Sequence, residues 1–200
     1  MLKKLTLSLL LAAASIGSAS ATTLGITTNV DNIFNIYVST SDSALGTLVG
    51  SGNNWTHTYN FSSALTAGTT NYIHVVATNQ GGPGGFLGAF TLNDAAFEFA
   101  NGTQNLLTNT TDWLQNTTGF GNAYSAAVGE GNLGTSPWSS VPGYGSSSPR
   151  WLWNYVSNNS SDFNTVYFTS TINSVPEPTS MALLGLGLFG LAAMRKRQQK

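Results

Sequence analysis

Between residues 22 and 175, apolar side chains recur at every second position in short runs, and the three- and four-residue spacing of an amphipathic helix is nearly absent. In Ile33–Val38 the alternation puts Phe34, Ile36 and Val38 on one face, and in Trp55–Phe61 it puts Trp55, His57, Tyr59 and Phe61 on one side. Asn71–Ala77, Phe86–Leu92, Ala95–Phe99, Trp151–Val156 and Thr165–Ile172 complete the predicted strands, with clusters of Gly, Asn, Asp and Ser between them. Many short strands separated by turn residues predict an all-β fold, a β-sandwich or jelly roll. A β-helix would need a repeat of fixed period, and the sequence has none. The chain has no cysteine, so the core must hold without disulfides and no thiolate metal site is available.

The two ends are built differently. Lys3 and Lys4 precede an apolar run from Leu5 to Ile16, and Ala19-Ser20-Ala21 follows with small residues. That order is the order of an export leader, and it predicts a signal helix removed after Ala21, with Ala19 and Ala21 filling the cleavage pocket. At the other end Val175-Pro176-Glu177-Pro178 is a rigid break, because each proline fixes its own φ and holds its predecessor extended. Met181–Met194 is uncharged and apolar, and Arg195, Lys196, Arg197 and Lys200 close the chain. As a helix this run would be about 21 Å long against a hydrocarbon core of about 30 Å, so Thr179 and Ser180 must be drawn in for it to span. The basic end sets its orientation, with Arg195–Lys200 in the cytoplasm and the preceding domain outside. The chain thus divides into a leader (1–21), a secreted β-domain (22–174) and a terminal signal (175–200).

Val-Pro-Glu-Pro-Thr-Ser at 175–180, the Gly/Leu-rich span and the Arg-rich end together resemble the PEP-CTERM sorting signal. The resemblance implies a partner, an exosortase-type membrane protease that cuts near Pro176, Glu177 and Pro178. It also implies a Gram-negative exporter that makes exopolysaccharide, with only transient anchoring in the inner membrane. Within the domain, Val30–Val38, Gly50–Trp55 and Ala77–Gly85 are similar to a galactose-binding-like jelly roll. Arg150-Trp151-Leu152-Trp153 with Thr165–Phe168 looks like the Trp-x-Trp strand pair of the same modules. In those modules the Trp-x-Trp strand usually comes first and here it comes last, the order a circular permutation would give.

Charge narrows the function. Over residues 22–175, Arg150 is the only base against seven acids, a formal −6. A nucleic-acid surface needs Lys and Arg to neutralise phosphate, so nucleic acid is excluded as a partner. Anionic lipid headgroups are disfavoured on the same ground, which leaves the tail as the only membrane contact. Solubility rests on Asn, Thr and Ser, a surface suited to neutral polar partners such as glycans.

Enzyme motifs are missing: there is no G-x-S-x-G, no H-E-x-x-H and no pair of His at ligand spacing. His57 and His74 sit on predicted strands and read as core or edge residues, and Asp94 and Glu98 as structural or solvated acids. G-x-G-x-x-G at Gly129–Gly134 and Gly185–Gly190 follows from glycine content, since neither offers a helix N-terminus to a phosphate. The seven N-x-S/T sequons reflect an Asn/Thr-rich domain. The expectation is a non-enzymatic protein.

Two binding features remain. Gly119–Ser148 is too long for an ordinary connection and reads as a surface loop. Trp113, Trp138 and Tyr144 lie in predicted loops and are the candidates for stacking on sugar rings, whereas Trp55, Trp151 and Trp153 read as core. Asp31, Asn32 and Asn79, with the loop to Gly85, could supply oxygens to a structural Ca²⁺, which takes six to eight. The functional expectation is a surface or extracellular protein of the exopolysaccharide matrix that supports adhesion, aggregation, biofilm or floc formation. A lectin-like module and a secreted polysaccharide hydrolase are the alternatives.

Overall fold

The computed structural model describes residues 21–154 and 164–176, together with Gly187. The predicted signal helix, Ala19, Glu177, Pro178, Arg195, Lys196, Arg197 and all but one residue of the predicted membrane helix lie outside these residues.

Thirteen strands are present among the described residues: β1 (Thr23–Asp31), β2 (Ile33–Ser39), β3 (Thr47–Gly52), β4 (Tyr59–Ala64), β5 (Asn71–Thr78), β6 (Gly85–Leu92), β7 (Phe97–Phe99), β8 (Asn105–Leu107), β9 (Leu114–Asn116), β10 (Ser125–Ala126), β11 (Val128–Asn132), β12 (Arg150–Trp153) and β13 (Thr165–Ser174). They build two sheets. The first runs β11-β12-β6-β1-β4 with β8 against β6; the second runs β10-β9-β13-β5-β2-β3 with β7 against β13. Every pairing is antiparallel. The fold is the all-β sandwich that the alternation predicts.

The core lies between the sheets and comes from one face of each. Leu24, Ile26, Val30, Phe86 and Phe90 come from the first sheet, and Phe34, Ile36, Ile73, Val75, Ala77, Val166, Phe168 and Ile172 from the second. Phe86 meets Phe168 across the gap at a ring separation of 5.0 Å, and Phe34 meets Tyr59 at 5.2 Å. Burying each such side chain stabilises the fold by about 1.5–3 kcal/mol, which is how a chain without disulfides keeps its sandwich.

The Trp55–Phe61 alternation is only partly a strand. Asn54 forms an Asx turn: its Oδ1 accepts hydrogen bonds from Thr56 N at 3.0 Å and Thr56 Oγ1 at 2.8 Å, while its carbonyl accepts one from His57 N at 3.1 Å. The strand begins only at Tyr59, and His57 is exposed rather than part of the core. The Gly119–Ser148 stretch is not a free loop. It contributes β10 and β11, then folds back over the outer face of the first sheet, where Trp138, Val141 and Tyr144 pack on Leu87 and Trp151. Gly85 makes that possible, since a Cβ there would stand 2.8 Å from Trp138 and 2.8 Å from Trp151.

Candidate functional site

The three aromatics expected at the surface are buried. Trp113 is in the main core, its ring edge-on to Phe86 at 5.0 Å and its Nε1 donating to the Leu107 carbonyl at 3.2 Å. Trp138 stacks on Trp151 at 4.7 Å, 20° from parallel, and its Nε1 donates to Asp31 Oδ2 at 2.9 Å. Tyr144 donates its hydroxyl to Asn29 Oδ1 at 2.9 Å, and burial pushes that hydroxyl far above the ordinary phenol range. Each aromatic has one polar atom with a partner inside the fold, so the main core takes the whole ring of Trp113 and the second small core those of Trp138 and Tyr144. None of the three offers a free face to a sugar.

The residues considered for a cation are engaged with one another. Asp31 accepts from Trp138 and from the Asn32 amide; Asn32 Oδ1 accepts Gln80 N at 2.6 Å; Asn79 donates to the Gly82 carbonyl at 2.8 Å and accepts from Gly81 N at 3.2 Å. These are the bonds of a turn linking β1–β2 to β5–β6. Burial raises the Asp31 carboxyl above the ordinary carboxylate range, and the Trp138 bond works against that. Among the described residues no three His, Cys, Asp or Glu side chains gather to hold a metal.

Sequence reasoning missed a polar cluster on the outer face of the second sheet. His74 on β5 is fully buried beneath the β2–β3 connection. Its Nε2 stands 3.3 Å from Asp42 Oδ1 and its Nδ1 3.3 Å from the Leu45 carbonyl, with Phe120 stacked on the ring at 3.8 Å. The same Asp42 oxygen accepts from Thr169 Oγ1 at 3.0 Å and Tyr124 OH at 3.3 Å. Burial lowers the imidazole below its ordinary range, while Asp42 and the Leu45 carbonyl push the other way. Alternation alone puts His74 opposite the core residues Ile73 and Val75, but its cover comes from loops distant in sequence.

Beside Tyr124 runs a groove of about 360 Å³, lined by Gln115, Asn116, Thr117, Thr118, Ala123, Tyr124, Ser125 and Asn154. Among the described residues, no lining side chain is acidic or basic. Gln115 is buried, gives its Nε2 to Ser125 Oγ at 2.7 Å, and leaves its Oε1 without a partner. Turning the amide over only exchanges which atom is orphaned. Amide and hydroxyl side chains converging in one concavity supply both donors and acceptors, the groups that recognise hydroxyls.

The third feature is where the domain ends. β13 pairs with β5 from Thr165 to Ile172 on one side, and with β9 and then β7 on the other, the last partners being Ser174 and Phe97. Val175 N still donates to the Ala96 carbonyl at 2.8 Å, and Pro176, which has no N–H, comes next. The Pro-Glu-Pro break therefore starts two residues past the last ladder pair, directly after the Val175 bond. A family model, the PEP-CTERM protein-sorting motif, matches residues 174–197. The chain carries a PEP-CTERM tail. It is an exported protein sorted by an exosortase, a membrane protein, and the PEP-CTERM tail anchors it transiently at the membrane. No curated protein and no solved structure matches the chain. The matched span includes Pro176, Glu177, Pro178, Arg195, Lys196 and Arg197, and it begins on the last residue of β13.

Proposed function

We propose that this is a non-enzymatic protein of the extracellular or cell-surface exopolysaccharide matrix, supporting adhesion, aggregation and biofilm or floc formation. The observation that carries the reading is the junction of β13 with the PEP-CTERM tail, which delivers a rigid sandwich to the outer face of the membrane with no spacer. Such a delivery suits a building element. The domain's polarity comes from amides and hydroxyls rather than charge, which fits neutral polysaccharide as the surrounding partner. The buried His74 is not placed to act as a general base, because both ring nitrogens already face protein oxygens.

A lectin-like role is the second reading, and the uncharged groove beside Tyr124 favours it. The test is a strain carrying the chain truncated after Val175. Cell aggregation and retention of the protein in the matrix should both fall, and unchanged aggregation would overturn the matrix role. Incubating purified protein with the strain's own polysaccharide should release no reducing ends; turnover would point to a hydrolase instead.

A further inference from the structure

The turn Asn93–Ala96, between β6 and β7, touches both ends of the domain. Thr22 Oγ1 donates to the Asp94 carboxylate, 2.9 Å from Oδ1 and 2.8 Å from Oδ2. Thr23 N donates to Asn93 Oδ1 at 2.8 Å, and Asn93 N returns a bond to the Thr23 carbonyl at 3.3 Å. Two residues on, the Ala96 carbonyl holds Val175 N, and Asp94 Oδ1 braces Ala96 N at 2.8 Å. Leader and tail therefore leave the sandwich at the same end.

Thr22 is also where burial begins. Ala21 is exposed, whereas Thr22 is 5% exposed with its carbonyl taken by Leu65 N at 2.9 Å. The small-residue site predicted at Ala19 and Ala21 and the first buried residue of the fold thus coincide, although neither observation depends on the other. We propose that the Asp94 carboxylate is the docking point for the ammonium that leader removal creates on Thr22, so that N-terminal processing locks the turn that holds Val175, at the start of the PEP-CTERM tail. The step is a hydrolysis by a leader peptidase: one water is added across the Ala21–Thr22 peptide bond. The carboxylate leaves on Ala21 and the amine stays on Thr22.

An α-amine with an ordinary pKa of about 7.7–8.0 is mostly protonated at neutral pH. The amine and the hydroxyl belong to one residue, so bond lengths put the new charge within roughly 7 Å of Asp94. That is inside the Debye length of about 10 Å at 0.1 M salt. Before cleavage the same nitrogen is an uncharged amide, and the carboxylate has only hydroxyl and amide donors. The gain therefore appears only on processing. Glu98 on β7 is the other acid near this end in sequence, and Arg150 is the one basic side chain between residues 22 and 175. The proposal holds whatever the domain binds.

The test compares full chains exported and processed in the cell, then purified in mild detergent. One has the natural leader junction. The other has one glycine inserted between Ala21 and Thr22, which moves the ammonium a residue outward. N-terminal sequencing should read Thr22 first in the natural chain. Its melting temperature should lie about 2–4 °C above that of the inserted chain, the scale of one partly exposed ion pair in a domain of this size. Asp94→Asn should erase the difference. Thr22→Val, which removes the hydroxyl and keeps the amine, should preserve it. A first residue other than Thr22 in the natural chain, equal melting of the natural and glycine-inserted chains, or a difference that survives Asp94→Asn would each overturn the proposal.

Discussion

His74 lies flat on Phe120, the two rings 3.8 Å apart and 12° from parallel, and both of its nitrogens point at oxygens that can only accept. A neutral imidazole has one N–H for two acceptors, and the second proton is opposed by burial. The folded value is depressed, so between it and the ordinary 6.5 the unfolded chain binds a proton that the folded chain does not. This contribution to stability is complete above pH 6.5 and is lost as pH falls below it. Thermal melts at pH 7.5 and 5 should show the loss, and His74→Phe, which keeps the stack on Phe120, should flatten it. Asp31 acts with the opposite sign, because its carboxyl is raised and burial opposes its ionisation as pH rises through the window above 3.8. The diagnostic quantity is therefore the difference between the natural chain and the variant.

Trp138 is a structural residue, and its removal should be felt as lost stability. Trp138→Ala empties the space between Asp31 and Trp151 and should cost about 3–5 kcal/mol, the usual range for deleting a buried Trp. Trp138→Phe keeps ring packing but leaves Asp31 Oδ2 without its donor, and should cost about 1–3 kcal/mol. Urea denaturation monitored by circular dichroism separates the two.

Any saccharide binding should map to the groove at Gln115–Ser125 and survive salt. With no charged lining residue, raising sodium chloride to about 0.5 M should change affinity less than twofold, since screening acts on charges. Thr118→Tyr, at an exposed lining position, should weaken binding to neutral oligosaccharides tenfold or more, and Ser62→Tyr on the β4 edge should leave it unchanged. Calorimetric titration reads both.

Replacing Pro176-Glu177-Pro178 with three alanines should leave the protein membrane-bound and uncut. Pro176 forbids a further ladder bond, so the prolines keep the segment extended as it leaves β13. Alanines would lift both restraints and let regular structure spread into the segment. Membrane fractionation followed by mass spectrometry of the C-terminus measures the outcome.

The strands that alternate cleanly were legible in sequence. β2, β5, β6 and β13 have apolar residues on one face, and period-2 alternation is all that such a face requires. β1 was missed because its buried positions include Thr28 and Asn29, which pass as turn residues until Leu87, Trp55 and Tyr144 are seen to satisfy them. β3 hid behind its glycines: a Cβ on Gly52 would stand 2.5 Å from both Phe34 and Tyr59, so the rings occupy the space where side chains would have signalled a strand. Trp138 and Tyr144 were misjudged for a related reason. A Gly/Ser-rich stretch carries no periodicity, and its burial partners Asp31, Asn29 and Leu87 lie more than fifty residues away. The groove had no signature at all, since Asn, Gln, Thr and Ser look the same on a binding surface as on an idle one.

The strand that leads into the tail is an interior one, bonded to β5 on one side and to β9 and β7 on the other. Tension applied through the C-terminus therefore acts along the strand axis and loads those ladder bonds in parallel as shear. An edge strand would instead peel, giving up its bonds one at a time. β1, at the other terminus, is likewise flanked by β4 and β6. The sandwich is thus gripped at both termini by strands that resist being drawn out.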